Sequence, residues 1–316
     1  MLALAGTVLV PLSARGQTYR QRIAQSDSSR IDGLPDQLAT RPTPPAAVEH
    51  LDASNGQELV TAAARQVFSL PSLHAQLRMK LASQGRQIVA SGDYLQFGSG
   101  EEKLLKLNLK MPIGSKFGSV QQIRGQHYLW IIRDLPPEPP KLERVILRTA
   151  RLEIVKAEQA GRLPALEGWI LLGGLSRLLS SLDANFEFGS PRPATLGDVH
   201  VLIVRGRWKP AALKRLTSAS LAELPAQLPH EVELTLGAPD QSYPLFPYRI
   251  EYVRRGAEGE GRGGARGRSL ALIEFFEVSQ ARNVDRGEFE FDSEERDFDD
   301  VTLSYLRKLG IMPAKP

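Results

Sequence analysis

Leu73-His74-Ala75-Gln76-Leu77-Arg78-Met79-Lys80-Leu81 alternates apolar and polar residues without a break. Successive side chains of an extended strand point to opposite faces. Leu73, Ala75, Leu77, Met79 and Leu81 therefore share one face, and His74, Gln76, Arg78 and Lys80 share the other. Leu105-Lys106-Leu107-Asn108-Leu109-Lys110-Met111 repeats the pattern. A strand that is oily on one side and cationic on the other belongs to an antiparallel sheet covered on one side only. What covers the oily face, a fixed core or a guest, is the question on which function turns.

Outward from this stretch, strands are expected at 88–97, 104–111, 117–124 and 128–132, joined by short glycine-containing turns into a meander. A helix precedes them, with Ser54 or Asn55 as N-cap, Leu59, Val60, Ala63 and Val67 at helical spacing, and Pro71 after its end. Val145 to Val155 reads either as a strand running into a helix or as a helix carrying Arg144, Arg148 and Arg151. Leu175, Leu178, Leu179 and Leu182 lie at i, i+3, i+4 and i+7, one face of a helix. Strands return at 200–208, 232–236, 248–253 and 270–278, with a short helix at 211–221. A last short strand is marked by Phe289 and Phe291, and Asp299-Asp300-Val301-Thr302 caps a closing helix.

The 316 residues are 42% hydrophobic and 24% charged, ordinary for a globular chain. The net charge of +4 arises from 40 basic and 36 acidic residues mixed along the sequence, which argues against a nucleic-acid reader. The absence of cysteine excludes disulfides, thiolate metal sites, cysteine nucleophiles and the thioether-linked anchor of bacterial lipoproteins. Residues 2–10 are apolar but too few to span a bilayer, and Ala14-Arg15-Gly16 has the small-x-small form read by signal peptidase. The expected organisation is an export signal over 1–16, a Pro/Ser-rich linker over 17–54 and one domain over 55–316. The expected location is the periplasm, with a membrane tether if the signal is retained.

Motifs of catalysis are missing from the sequence. His50, His74, His127, His200 and His230 have no metal-ligand spacing. There is no Gly-x-Ser-x-Gly elbow, phosphate loop or dinucleotide fingerprint. Asp297, Asp299 and Asp300 miss the calcium-loop pattern, and helix capping accounts for Asp299 or Asp300. The arginine–glycine stretch from Arg254 to Arg268 carries no aromatic residue and reads as a hairpin loop rather than a stacking platform. No cofactor, metal or catalytic residue is expected.

The positive signal is the apolar inventory. Leu77, Met79, Leu105, Leu107 and Leu109 from the strands, Trp130, and Leu175, Leu178, Leu179 and Leu182 from the mid-chain helix form the candidate ligand-binding set. If sheet and helix press together, these residues are a core. If the sheet curls without closing, the helix becomes a lid over a greasy cavity.

The order of features is similar to that of a known family. A turn glycine leads into a tryptophan strand in Gly125-Gln126-His127-Tyr128-Leu129-Trp130-Ile131-Ile132-Arg133. A lid-type helix, Gly174-Leu175-Ser176-Arg177-Leu178-Leu179, is followed by Phe186-Glu187-Phe188. Pro247-Tyr248-Arg249-Ile250-Glu251-Tyr252, Ile273-Glu274-Phe275-Phe276, Asn283-Val284 and Phe289-Glu290-Phe291 resemble closing strands. From about Gly56 to Gly310 the chain resembles the LolA/LolB-like periplasmic lipoprotein carriers. The resemblance implies a mainly β, curved, half-open antiparallel barrel with helices over its concave face. It implies a monomeric, non-enzymatic carrier that shields acyl chains of lipoprotein or lipid cargo and touches membrane components transiently. The alternative it leaves open is an envelope sensor or interaction module on the same scaffold. The chain departs from the pattern in its length, in the insertion from Pro136 to Pro164 and in the arginine–glycine loop. Arg78, on the polar side of its strand, does not match the family's buried lid-locking arginine.

Overall fold

The computed structural model describes residues 54–83, 86–159, 168–216, 224–225, 228–255, 267–281, 284–292 and 297–312. The expected leader and nearly all of the linker, the hairpin turn at Gly85, Asn283 and residues 256–266 of the arginine–glycine loop lie outside them.

Helix α1 (Gly56–Ser69) starts where the Asn55 side chain accepts from the backbone N–H groups of Gln57 and Glu58. Its stripe of Leu59, Val60, Ala63 and Val67 is fully buried. Its last carbonyls are met by buried side chains. Lys103 Nζ donates to the Val67 carbonyl at 2.6 Å, and Gln96 Nε2 donates to that of Leu70 at 3.2 Å. A cation at a helix C-terminus also suits the helix dipole.

Six strands then follow as an antiparallel meander: β1 (Ser72–Ser83), β2 (Arg86–Phe97), β3 (Leu104–Ile113), β4 (Lys116–Arg124), β5 (Tyr128–Asp134) and β6 (Lys141–Ile146). The undecided stretch after Glu143 therefore divides, with β6 ending at Ile146 and helix α2 (Leu147–Gln159) beginning directly. Helices α3 (Trp169–Leu172) and α4 (Leu175–Asn185) come next. The chain returns to the sheet through β7 (Phe186–Phe188), β8 (Arg192–Leu196), β9 (Val199–Trp208), β10 (Glu231–Gly237), β11 (Pro247–Arg254) and β12 (Arg268–Ser279). Helix α5 (Pro210–Leu216) accounts for the described part of the helix expected over 211–221.

Strands β1 and β12 pair antiparallel and join the two halves, with Leu77 opposite Phe275 and Met79 opposite Ile273. The edge-to-edge order is β13-β6-β5-β4-β3-β2-β1-β12-β11-β10-β9-β7, with β8 hydrogen-bonded to β9 and β13 (Asp299–Asp300) beside β6. The two end strands, β7 and β13, do not meet, so the curved sheet stays open. The half-open, mainly β architecture that the resemblance implies is the one observed, and the antiparallel strands read from the alternation build it.

The C-terminal segment departs from the expectation. Phe289 and Phe291 form no strand. Arg286–Phe289 is a 3-10 turn capped by Asp285, whose side chain accepts from the Gly287 N–H at 2.9 Å. The physical reason is burial without pairing, since Phe289 packs against Leu104, Ile123 and Trp130 on the outer face of the meander. The chain then passes the sheet edge, where Asp299 and Asp300 pair in parallel with Glu143 and Arg144. Helix α6 (Thr302–Lys308) carries Tyr305 and Leu306 into the main core, and Leu309 and Ile311 follow. The segment thus belts the β6 edge from outside to inside. Asp300 fixes this turn by accepting from Thr302 N–H and Oγ1–H at 3.1 and 2.7 Å and from Arg144 at 3.1 Å. Partial burial pushes the Asp300 carboxyl up, but these donors outweigh it and hold it below the usual carboxylate range.

Candidate functional site

The concave face gathers nine of the ten candidate residues. Leu77, Met79, Leu105, Leu107 and Leu109 from the sheet join Leu175, Leu178, Leu179 and Leu182 of α4 in one apolar cluster with the buried stripe of α1. The four α4 leucines are at most 3% exposed. They fill the concavity as α4 now sits.

Helix α4 is held at its two ends. At the start, Gly173 and Gly174 have φ of 127° and 80°, a region open to glycine and closed to most other residues. A Cβ on Gly174 would lie 2.7 Å from Tyr94 Oη and 2.9 Å from Leu105 Cδ1. The Leu175 N–H donates to that Tyr94 oxygen at 3.4 Å, and the Tyr94 hydroxyl donates to Gln96 Oε1 at 3.1 Å. Complete burial pushes the Tyr94 phenol well above its ordinary pKa, so it stays a neutral donor. At the other end, Gln57 and Thr61 of α1 donate to the Asp183 carboxylate, and Lys209 Nζ donates to the Asp183 carbonyl at 2.6 Å. Tyr94 escaped the sequence reading. The hairpin register contained the signal, because Tyr94 lies opposite Ala75 and Leu107, both read as inward.

Trp130 stands apart from the other nine. Leu129 and Ile131 belong to the concave core, so alternation turns Trp130 to the outer face. There its ring centroid lies 5.2 Å from those of Phe291 and Phe298. Arg78 is on the polar face as read, with Nε 3.6 Å from Glu274 Oε2.

Two adjoining hollows open at one end of the sheet, where the β2–β3 and β4–β5 turns meet the start of α2. The larger, about 930 Å³, carries Arg148, Arg151 and Arg286 on its walls with Phe97, Tyr128 and Leu152. The smaller, about 300 Å³, is lined by Trp130, Phe289 and Phe291. Leu104, Gln126, His127, Tyr128 and Arg286 line both. Neither is lined by any of the aliphatic candidates. Among the described residues no group of three His, Asp or Glu side chains is placed to hold a metal ion, and no helix is long and apolar enough to cross a membrane.

No protein-family model matches the chain, and no curated protein matches it in sequence. Solved structures with a distant likeness include a DUF1329 family protein from Desulfovibrio piger, 10% identical with a TM-score of 0.33, over 73% of this chain and 94% of that one. LprF from Mycobacterium bovis is 11% identical with a TM-score of 0.34, over 71% and 94%. A Vibrio parahaemolyticus domain described as outer membrane lipoprotein-sorting is 8% identical with a TM-score of 0.25, over 74% and 96%. Likeness at this level carries no functional argument, and the half-open architecture stands on the strand pairing of the chain itself.

Proposed function

We propose that the chain is a non-enzymatic binding protein that shelters acyl chains of lipid or lipid-modified cargo against the concave face, with α4 as the displaceable cover. The observation that carries this reading is the placement of α4. It is an inserted helix lying on the apolar side of an unclosed sheet, its leucines buried and its entry formed by two left-handed glycines.

Energetics support an exchange. Burial of one leucine side chain is worth about 1.5–3 kcal/mol, so the four α4 leucines hold the helix down with roughly 6–12 kcal/mol. This is an upper range, because a displaced helix retains some of its contacts. An acyl chain gains about 0.8 kcal/mol per buried methylene, so about eight to fifteen methylenes match it. One long chain can therefore replace the helix on the sheet at nearly constant free energy. Export to the periplasm, a monomeric state and transient membrane contact belong to the same reading.

The test uses a triacylated lipopeptide with brominated chains, titrated against the full chain while fluorescence is recorded. Trp169 lies in the concave core with its ring centroid 5.4 Å from that of Tyr94, so a chain bound there quenches it. Tyr94→Phe, which releases the start of α4, is expected to tighten binding about fivefold, the equivalent of one lost hydrogen bond of roughly 1 kcal/mol. Saturable binding that leaves Trp169 unquenched, or no binding at all, contradicts the proposal.

A further inference from the structure

The outer-face hollows hold a pairing that the concave face lacks: cations beside a half-open aromatic slot. Most described arginines on the sheet strands have a carboxylate within reach. Arg133 pairs with Glu143, Arg205 with Glu233, Arg207 with Glu231 and Arg249 with Glu251. The three guanidinium groups on the cleft differ. Arg148 and Arg151 sit on the first turns of α2, and Arg286 on the 3-10 turn of the C-terminal belt. Among the described residues none of the three lies within ion-pair distance of a carboxylate. Glu102 is the one described carboxylate on the cleft wall, and Glu290 lies on the slot. The described lining of the cleft is therefore net cationic before His127 is counted. Beside it, Leu152 is 57% exposed and Tyr128 36% exposed.

The slot supplies the complementary half. Trp130, Phe289 and Phe291 give it an apolar wall, and Arg286 with Tyr128 joins it to the cleft. Both volumes fall in the range of small-molecule sites, about 300–1,000 Å³. A ligand spanning them needs a charged end and an oily end. Guanidinium groups favour phosphate or carboxylate, with fork-shaped donors that donate to two oxygens at once.

We infer that this paired hollow binds a monomeric, single-chain anionic amphiphile, with its head among Arg148, Arg151 and Arg286 and its tail in the slot beside Trp130. The site is separate from the concave face and does not depend on α4 moving. Attraction at an exposed cationic cleft is screened by salt, so affinity falls as ionic strength rises.

The probe is dodecyl phosphate below its micelle threshold, with and without bromine on the tail, added to the full chain. The expected result is saturable binding, quenching of Trp130 by the brominated form, and loss of that quenching in Trp130→Phe. Because the three arginines are exposed, Arg148→Gln/Arg151→Gln/Arg286→Gln should fold normally and bind at least tenfold more weakly. Inorganic phosphate and dodecyl maltoside, which each lack one half of the ligand, should bind at least tenfold more weakly than dodecyl phosphate. Equal binding by either one overturns the inference, as does undiminished affinity in the triple variant. Binding only to phosphatidylglycerol vesicles, with no monomer bound, also overturns it. Quenching of Trp169 instead of Trp130 would assign the amphiphile to the concave face and reject this site while leaving the carrier reading intact.

Discussion

The two faces of the meander are built from the same strands but are finished differently. On the concave side the inward strand residues share one buried apolar cluster with the stripes of α1 and α4 and with rings such as Tyr94, Trp169 and Phe275. On the outer side the part of the belt around Phe289 and Phe291, which pairs with no strand, covers only part of the sheet, leaving an aromatic patch with two hollows at its end. A helix brings a whole stripe of side chains to the sheet, whereas an irregular segment brings single anchors such as Phe289. The difference teaches that an apolar sheet face becomes core or site according to what is laid on it, and not according to the strands themselves.

The comparison can be broken most sharply by deletion on each face. Leu179 is fully buried, and Leu179→Ala should cost about 3 kcal/mol of global stability. Phe291→Ala, on the partly buried outer patch, should cost about 1 kcal/mol. Urea unfolding of the two variants checks both values. Equal losses would mean that the outer patch is as consolidated as the core.

Next in size is the entry to α4. Gly174→Ala forces a Cβ into a left-handed backbone against Tyr94 and Leu105, and should cost about 2 kcal/mol. Hydrogen exchange over 175–185 should quicken, with β3 unaffected. If β3 quickens equally, α4 is not a separable cover.

Acid should act on the belt before the core. The Asp300 carboxyl is held below its unfolded value, so its contribution is complete above the ordinary aspartate range and is lost as pH falls through the lowered value. Exchange over 297–312 is expected to rise on acidification, and Asp300→Asn should remove that pH dependence. The smallest effect belongs to the polar face, where Arg78→Ala at an exposed pair should change stability by less than about 0.5 kcal/mol.

Much of this contrast was legible in the sequence, and the illegible parts share a cause. The alternation of Leu73 to Leu81 and of Leu105 to Met111 set the inward faces, and the stripe of Leu175 to Leu182 set the cover. Both are local periodicities, which the pleat and the helix read directly. Trp130 was placed on the wrong side because Tyr128-Leu129-Trp130-Ile131-Ile132 is apolar throughout and offers no alternation to choose a face. Phe289 and Phe291 looked like a strand because their spacing is strand-like, while a distant surface decides whether they pair or pack. The cationic cleft draws on the β2–β3 turn, the β4–β5 turn, α2 and the belt, and no local pattern joins those four segments.

The most direct test of the carrier account is hydrogen exchange of α4 with a triacylated lipopeptide bound. The account predicts that Leu175–Asn185 loses protection while β1 and β3 keep theirs, as the acyl chain takes the helix's place on the concave face. Lipopeptide bound tightly with α4 protection unchanged would contradict it.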